Sequence, residues 1–590
     1  MKKTLYISGL ALMLAGMSFT SCSDFLDADN KTTANKGADD ALVNQPDGLL
    51  MEAYASIYGF ARTSVDIAIN DEGTDLYIPV RGKNPSDIDK YTLSASNDEV
   101  YTYWKKVYTM INNANAVVYY NNQKVKNASY DAEAKFLRNW GYYLLTQQYG
   151  DVPYVTEYIS TPNGSYPRVA VATIYDSCIE ELKAVYEAGA LPASKGTNLA
   201  QPTQAACAAL LSKFYLAKAW DCYVTEEGSN VDPSKVSADG KTAFNEAASW
   251  AEKALGISAG AAPANLPLTF ADKWSPANDN NTEVIWAIQS NGAAELGAHG
   301  LANEYGNYYG DQAKTGYKQV GSLHAQSNKS LYLFAKGDSR YEATFMTAIR
   351  YKDYFAYYNG GTTKIGFQYF PYYVTENDAI SEMGKNASNY ATGETKAFIL
   401  ANTCTSFEFD ASGKASVGEK ESYSDLYSQT VGSGVSVKKY DDPVNTKSGA
   451  GYRCVPIFHS SDIYLTAAEA YYMAGNDSKA LEYVNKVRYR AYDNTNSGEL
   501  ADFTETEYKK FYEYEAPEGG FKPIDIILDE RARELYAERT RWIDLRRTNQ
   551  LERYNVKYNV NLNSKVKDLR PIPTNEMGAN TGITYQNEGY

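Results

Sequence analysis

The sequence predicts a mainly α fold in which tetratricopeptide-like helical hairpins frame a loop-rich insertion of irregular segments and short strands. Three observations carry this. Apolar residues recur at three-to-four spacing over long stretches near both ends of the chain. Neighbouring helical stretches meet through short turns and small residues such as Ala467, Ala468 and Ala480, as paired helices of degenerate helical repeats do. Between residues 261 and 455 that period gives way to glycine, asparagine and tyrosine, the composition of loops and short strands.

Taken in order, the chain opens with Lys2 and Lys3, an apolar run from Leu5 to Met17, and the small or polar Ser18, Thr20 and Ser21 before Cys22. This reads as a secretory signal over 1–21, too short to span a bilayer, which takes about 20 apolar residues. Cleavage before Cys22 makes that residue the lipid carrier, and 22–45 a tether; Phe19 stands where such signals more often carry leucine. No later apolar stretch approaches spanning length. An N-terminal helical part follows over 46–260. Tyr101 to Tyr120 sets Trp104, Tyr108 and Ile111 on one stripe, and Ala132 to Tyr149 sets Leu137, Trp140, Gly141 and Leu144 on another, ending at Gly150. Helices are also expected over 174–188, 205–222 and 244–255. In the insertion, 261–455, Glu283 to Gln289 alternates as a short strand with Trp286 in the core. The C-terminal part, 456–590, repeats the helical pattern over 461–474, which stops at Gly475, and over 478–491. One last helix is expected from Ile526 to Arg547, its many Arg and Glu residues reading as ion pairs rather than as a catalytic cluster.

The 590 residues are 44% hydrophobic and 22% charged, ample for a packed core and unlike a disordered chain or a disulfide miniature. Fifty-seven basic against 72 acidic residues leave −15 with no basic stripe, which excludes nucleic acid as a partner. Five cysteines besides Cys22, at irregular spacing, form neither a disulfide framework nor a zinc pattern, and a Cys404–Cys454 bridge is left open. The three histidines do not fall at ligand spacing, and no nucleophile elbow or complete phosphate loop is present. The expectation is no enzyme, no cofactor and no metal; Asn278 to Asn281 reads as a solvated turn rather than a calcium loop. The chain holds 53 tyrosines, a residue that buries a ring and keeps its hydroxyl wet. Tyr305, Tyr308 and Tyr309, followed by Tyr357 and Tyr358, stand in loop-like sequence where such rings can stack on sugar faces.

Several segments resemble one family. The start Ser21-Cys22-Ser23-Asp24-Phe25-Leu26-Asp27, the run Tyr149-Gly150-Asp151-Val152-Pro153 and the stretch Asp462 to Ala470 match motifs of the SusD/RagB family of outer-membrane lipoproteins. So do Glu530-Arg531-x-x-Glu534-Leu535-x-x-Glu538-Arg539-x-Arg541-Trp542-x-Asp544-Leu545-Arg546, and in the tail Leu569 to Pro573, Glu576 and Gln586 to Tyr590. The resemblance implies a right-handed superhelical scaffold of helical repeats carrying the insertion, held at the cell outer membrane by the Cys22 lipid. It implies a non-enzymatic, surface-facing protein that captures glycan and passes it to a SusC-like TonB-dependent transporter. By position it points to Asp75, Tyr77, Arg81 and Asn97, and in the insertion to Tyr305, Tyr308 and Tyr309, as glycan contacts. Peptide cargo, or a scaffold that binds only protein, are the alternatives.

Overall fold

The computed structural model describes residues 46–79, 84–161, 164–224, 231–290, 301, 305, 324–350, 364–385, 387–390, 395–429, 434–442 and 451–590. Cys22, the signal and the tether lie outside these residues, as do Arg81, Tyr308, Tyr309, Tyr357 and Tyr358. The chain forms two compact units. One takes in the chain up to Ser56 with Ser94–Ile174 and Leu569–Tyr590; the other takes in Ile57–Leu93 and Tyr175–Asp568.

The first unit is built on two long helices, Asp98–Gln123 and Ala128–Tyr149. Both start on asparagine caps: the Asn97 side chain accepts from the Val100 N–H, and Asn127 from those of Ser129 and Tyr130. The second helix stops at Gly150, at φ +69°. Their approach depends on Gly141, where a Cβ would come within 2.7 Å of Ile111 Cγ1. Trp104 packs between Tyr108 and Tyr149, at centroid distances of 4.9 and 4.8 Å. The C-terminal tail is stitched to this pair: Arg570 N donates to Gln148 O at 2.8 Å and Asn587 Nδ2 to Tyr149 O at 2.9 Å. Asp151 accepts from the Val171 N–H and the Tyr585 hydroxyl, so the Tyr149–Pro153 motif and the tail motif are two halves of one joint.

In the second unit the helices Gln204–Tyr223 and Ala238–Ala254 form one hairpin, and Ser460–Met473 and Asp477–Ala491 another. Alanine-rich faces let helices approach closely: Ser212 Oγ donates to the Ala247 carbonyl across the first hairpin at 2.8 Å. The hairpins, separated by some 200 residues of sequence, pack through Ser460–Met473 against Ala238–Ala254, and Trp220 Nε1 donates to Glu469 Oε1 at 2.8 Å. The insertion is pinned at its base, where Val284–Ile288 pairs antiparallel with Val455–His459. Trp286 is buried there, as its alternation predicts.

The insertion is more regular than its composition predicts. It holds a five-stranded sheet in the order Ala415–Ser422, Thr403–Phe409, Lys396–Leu400, Ile365–Pro371, Ala348–Arg350. All neighbours run antiparallel except Ile365–Pro371 beside Lys396–Leu400. A parallel pair needs a crossover, and the helix Glu376–Lys385 lies in that connection. Its Ala379 and Met383 face Phe370, Ile399 and Phe407 in a separate small core.

The expected last helix is broken. Ile524–Glu534 ends, Ala537 and Arg539 adopt φ +64° and +59°, and a new helix runs over Arg541–Arg547. Left-handed backbone costs a non-glycine residue about 1–2 kcal/mol. Against that cost, the Ala537 N–H donates to the Tyr77 hydroxyl at 2.7 Å, and Arg539 reaches Asp66 at 2.8 Å and the Tyr440 hydroxyl at 3.1 Å. The Arg and Glu residues do form ion pairs, but deep in the core and mostly between segments. Glu530 takes Arg340 at 2.7 Å, Arg488 at 2.8 Å and Arg533 at 3.0 Å; Glu534 takes Arg490 at 2.5 Å and Lys273 at 3.1 Å. Arg490 also holds Glu283 at 3.0 Å.

Cys178, Cys207, Cys222, Cys404 and Cys454 are all free thiols, so Cys404 and Cys454 are not bridged. In the Asn278–Asn281 turn Asp279 accepts from Arg453 Nε and the Cys454 N–H, which makes it a structural brace. Among the described residues no helix is long and apolar enough to cross a membrane.

Removing one partner of a fully buried ion pair leaves the other charge unpaired, at a cost of about 3–5 kcal/mol. Glu530→Ala is therefore expected to lose that much in urea unfolding, whereas Glu505→Ala, which breaks the exposed pair with Lys509, leaves the midpoint in place. A loss below about 1 kcal/mol for Glu530→Ala would contradict the structural role given to the network.

Candidate functional site

Of the residues expected to touch ligand, Asp75, Tyr77 and Tyr305 lie in the second unit and Asn97 in the first. Asn97 is a helix cap, its side-chain oxygen taken up by the Val100 N–H at 3.0 Å. Asp75, expected at a surface, is fully buried. Arg541 donates to both its oxygens at 2.7 Å and Lys329 donates to Oδ2 at 2.6 Å. Burial alone would raise this carboxyl; Arg541 and Lys329 outweigh it and hold it well below the ordinary carboxylate range. With both oxygens bonded and the side chain fully buried, Asp75 anchors the strand that follows rather than meeting solvent.

That strand, Tyr77–Pro79, pairs antiparallel with His324–Gln326, Tyr77 opposite Gln326 and Pro79 opposite His324. Tyr77 is buried and packs on Tyr305 at 5.7 Å and Tyr536 at 5.2 Å between centroids. Tyr305 is only 2% exposed, and its hydroxyl donates to Asp71 Oδ2 at 2.5 Å. The structure brings Tyr77 and Tyr305 together as core rings and not as a stacking surface. Both stand at the bases of segments that lie outside the described residues: Arg81 follows Tyr77 by four positions, and Tyr308 and Tyr309 follow Tyr305 by three and four.

Around these rings is an acidic cluster that sequence reasoning missed. Burial pushes Asp71 up to about 7, against the lowering effects of the Tyr305 hydroxyl, Arg539 and His324. Among the described residues its Oδ1 accepts no hydrogen bond, as suits a carboxyl carrying its own proton. Asp89 is pushed up to about 6 by burial and by Glu72, and Asp66 to about 6 by burial, partly offset by Arg539. His324 sits 3.0 Å from Glu72 Oε1; burial would lower it, but Glu72, Asp89 and Asp71 together raise it. The sequence signal was faint: one of three histidines, and two acids just ahead of Asp75. The arrangement is an aromatic and acidic floor around Tyr77 and Tyr305, in which burial holds Asp71, Asp66 and Asp89 above the ordinary carboxylate range. Among the described residues no group of three or more His, Cys, Asp or Glu is placed to hold a metal ion.

Comparison with known proteins places this fold. A family model described as the SusD family matches residues 278–590, and one described as starch-binding associating with outer membrane matches 42–216. A SusD-like protein P2 of Formosa agariphila is 26% identical over 156 residues, or 25% of this chain; the chain spans only 29% of that relative's length. Three solved structures share the fold. A laminarin binding SusD-like protein aligns at a TM-score of 0.61 and 17% identity over 93% of this chain and 99% of its own. Surface glycan-binding protein A from Bacteroides uniformis aligns at 0.62 and 16% over 92% and 99%. NanU of B. fragilis aligns at 0.65 and 16% over 95% and 99%. At such identities the likeness is one of fold.

The acidic floor makes stability depend on pH. In the unfolded chain Asp71 titrates near ~3.9; in the fold it does so at about 7. Between those values the native state holds a proton that the unfolded state has released, so stability falls as pH rises through this window. His324, also raised, loses its contribution in the same direction. The melting temperature is expected to fall as pH is raised from about 5 to about 8, and Asp71→Asn to flatten that slope. An unchanged slope in the variant would show that Asp71 is ionised throughout.

Proposed function

The chain belongs to the SusD family, and from that membership we propose that it is a cell-surface glycan-binding lipoprotein that captures oligo- or polysaccharide without cleaving it. It is anchored in the outer membrane through Cys22 and passes its ligand to a SusC-like TonB-dependent transporter. The observation that carries the reading is the pair of family models, one of them described as starch-binding and associating with the outer membrane, which between them match residues 42–216 and 278–590. Fold relatives named for laminarin or glycan binding support it.

In this reading the buried residues position and the segments beyond them contact. Asp75 is locked by Lys329 and Arg541, and Tyr77 and Tyr305 brace each other, so the strand before Arg81 and the residue before Tyr308 and Tyr309 have fixed origins. Arg81 would donate to sugar hydroxyls, while Tyr308 and Tyr309 would stack on pyranose faces. Each aromatic contact of this kind is worth about 0.5–1.5 kcal/mol, so affinity is modest and release to a transporter is easy.

The test is affinity electrophoresis of the protein starting at Ser23 through gels containing plant, host and microbial polysaccharides. Retardation by at least one polysaccharide is expected, weakened about tenfold by Tyr308→Ala with Tyr309→Ala. If no polysaccharide retards the protein while a peptide library is retained, the cargo is peptide and the glycan reading falls.

A further inference from the structure

The second unit carries a cleft of about 410 Å³ lined by none of the residues of the acidic floor. Three segments build it: the turn 335–337, the turn after the helix Asp477–Ala491, and the stretch 510–513 after the short helix Glu505–Lys509. Its size falls within the ~300–1,000 Å³ of small-molecule sites. Phe511 is half-exposed in its wall, Tyr492 is a buried ring packed beside it, and the rim is polar. Tyr492 and Phe511 lie edge to face at 5.7 Å.

The aromatic wall is held rigidly. A Cβ on Gly498 would fall 2.0 Å from Tyr492 Cδ2, so only glycine lets the ring lie against this backbone. On the other side the backbone of Gly337, at φ +93°, leaves its Cβ direction 3.6 Å from Tyr492 Cε1. The Arg488 guanidinium lies 4.2 Å from the Phe511 centroid and is itself fixed by Glu530 and the Gly498 carbonyl. A wall that needs no rearrangement loses little entropy when a ligand meets it.

The rim selects the ligand. Lys336, Asp493, Lys510 and Glu513 are exposed along it, two of each sign. Lys336, Asp493 and Glu513 make no ion pair among the described residues, which leaves two carboxylates and an ammonium for a ligand rich in hydroxyls. A balanced rim gives no advantage to an anion or a cation. Beyond the cleft the aromatic surface continues: Tyr372, whose hydroxyl is raised by burial and by neighbouring Glu513, packs on Tyr373 at 5.3 Å and on Tyr332 at 4.6 Å. Tyr332 stacks on Tyr514 at 4.9 Å and 12°. All four rings are partly exposed.

We propose that this cleft is a second carbohydrate site, taking two or three residues of a neutral hexose chain against Phe511, with Asp493 and Glu513 accepting from its hydroxyls and Lys336 donating to them. A longer chain extends over the row Tyr372, Tyr332 and Tyr514.

Calorimetric titration with maltohexaose, cellohexaose, laminarihexaose and mannohexaose, with hexagalacturonate as the charged control, tests this. The protein carries Tyr308→Ala and Tyr309→Ala, so that binding at the family-inferred site is removed first. At least one neutral hexaose is expected to bind this background, and Asp493→Asn with Glu513→Gln, both on the surface, to weaken it about tenfold. Phe511→Ala is expected to do the same, with circular dichroism checking the fold. The proposal is overturned if no neutral hexaose binds, if the rim variant leaves binding unchanged, or if only hexagalacturonate binds. Loss of binding in the tyrosine background alone would support the first site and sink the second; rim-dependent binding without any effect of Tyr308 and Tyr309 would do the reverse.

Discussion

The second unit depends on a charge network that has no access to water. Glu530 and Glu534, both fully buried, gather Arg340, Arg488, Arg490 and Lys273 from segments up to 261 residues away. An unpaired ion in such a place costs several kcal/mol, so none of these segments can arrive without its partner. The network therefore works less as a source of stability than as a condition on assembly: the hairpin Ser460–Ala491, the base of the insertion at Glu283 and the helix Ile524–Glu534 must all be in register together. Both proposed binding regions hang from it. Arg488 pairs with Glu530 on one side and lies over Phe511 on the other, and Asp529, one position before Glu530, shares Lys329 and Arg541 with Asp75.

This explains why the charged motif from Glu530 to Arg546 is readable as a pattern while its meaning is not. Local propensity through Leu535-Tyr536-Ala537-Glu538-Arg539 favours helix, and nothing in those residues signals a break. The break is imposed from outside, by Tyr77, which is 460 residues away and accepts the Ala537 N–H. Asp75, named as a ligand contact only through its position in the resemblance, is core for the same reason: its partners Lys329 and Arg541 stand 254 and 466 residues off. What was legible is what is local. Asparagine caps, Gly150 and Gly475 as helix stops, the alternation around Trp286 and the small residues between paired helices each declare themselves within a few positions. The five-stranded sheet was not, because a sheet is defined by pairing, and glycine- and tyrosine-rich sequence reads equally well as loop.

The tyrosine excess divides in two on the same grounds. One part is structural. The hydroxyls of Tyr108, Tyr142, Tyr149 and Tyr464 donate to the backbone carbonyls of Pro153, Val155, Val100 and Ala264. Each fills core volume with a ring while tying its helix to another segment, which phenylalanine would leave unbonded. Tyr305 belongs here, with its hydroxyl on Asp71. The other part, Tyr332, Tyr372, Tyr373 and Tyr514, is half-exposed. Sequence alone does not separate these classes, because both occur in loop-like, polar surroundings.

The two proposed sites, both on one unit, would suit a protein that holds a polymer and then lets it go. A single deep site would give slow release, since affinity differences appear mostly in the dissociation rate. Two shallow sites engage one chain at an effective concentration set by the span between them, so retention is high while each contact opens quickly. This requires that the spacing not fluctuate. Tyr536 packs on Tyr77 at 5.2 Å and on Phe334 at 6.4 Å, and Arg533 donates to the Leu333 carbonyl just ahead of the cleft turn 335–337. The floor beneath one region and the wall of the other are thus joined through the same buried helix end. A polysaccharide bridging them would be gripped at two points of one body, and a partner that takes up one end need only break half of the hold.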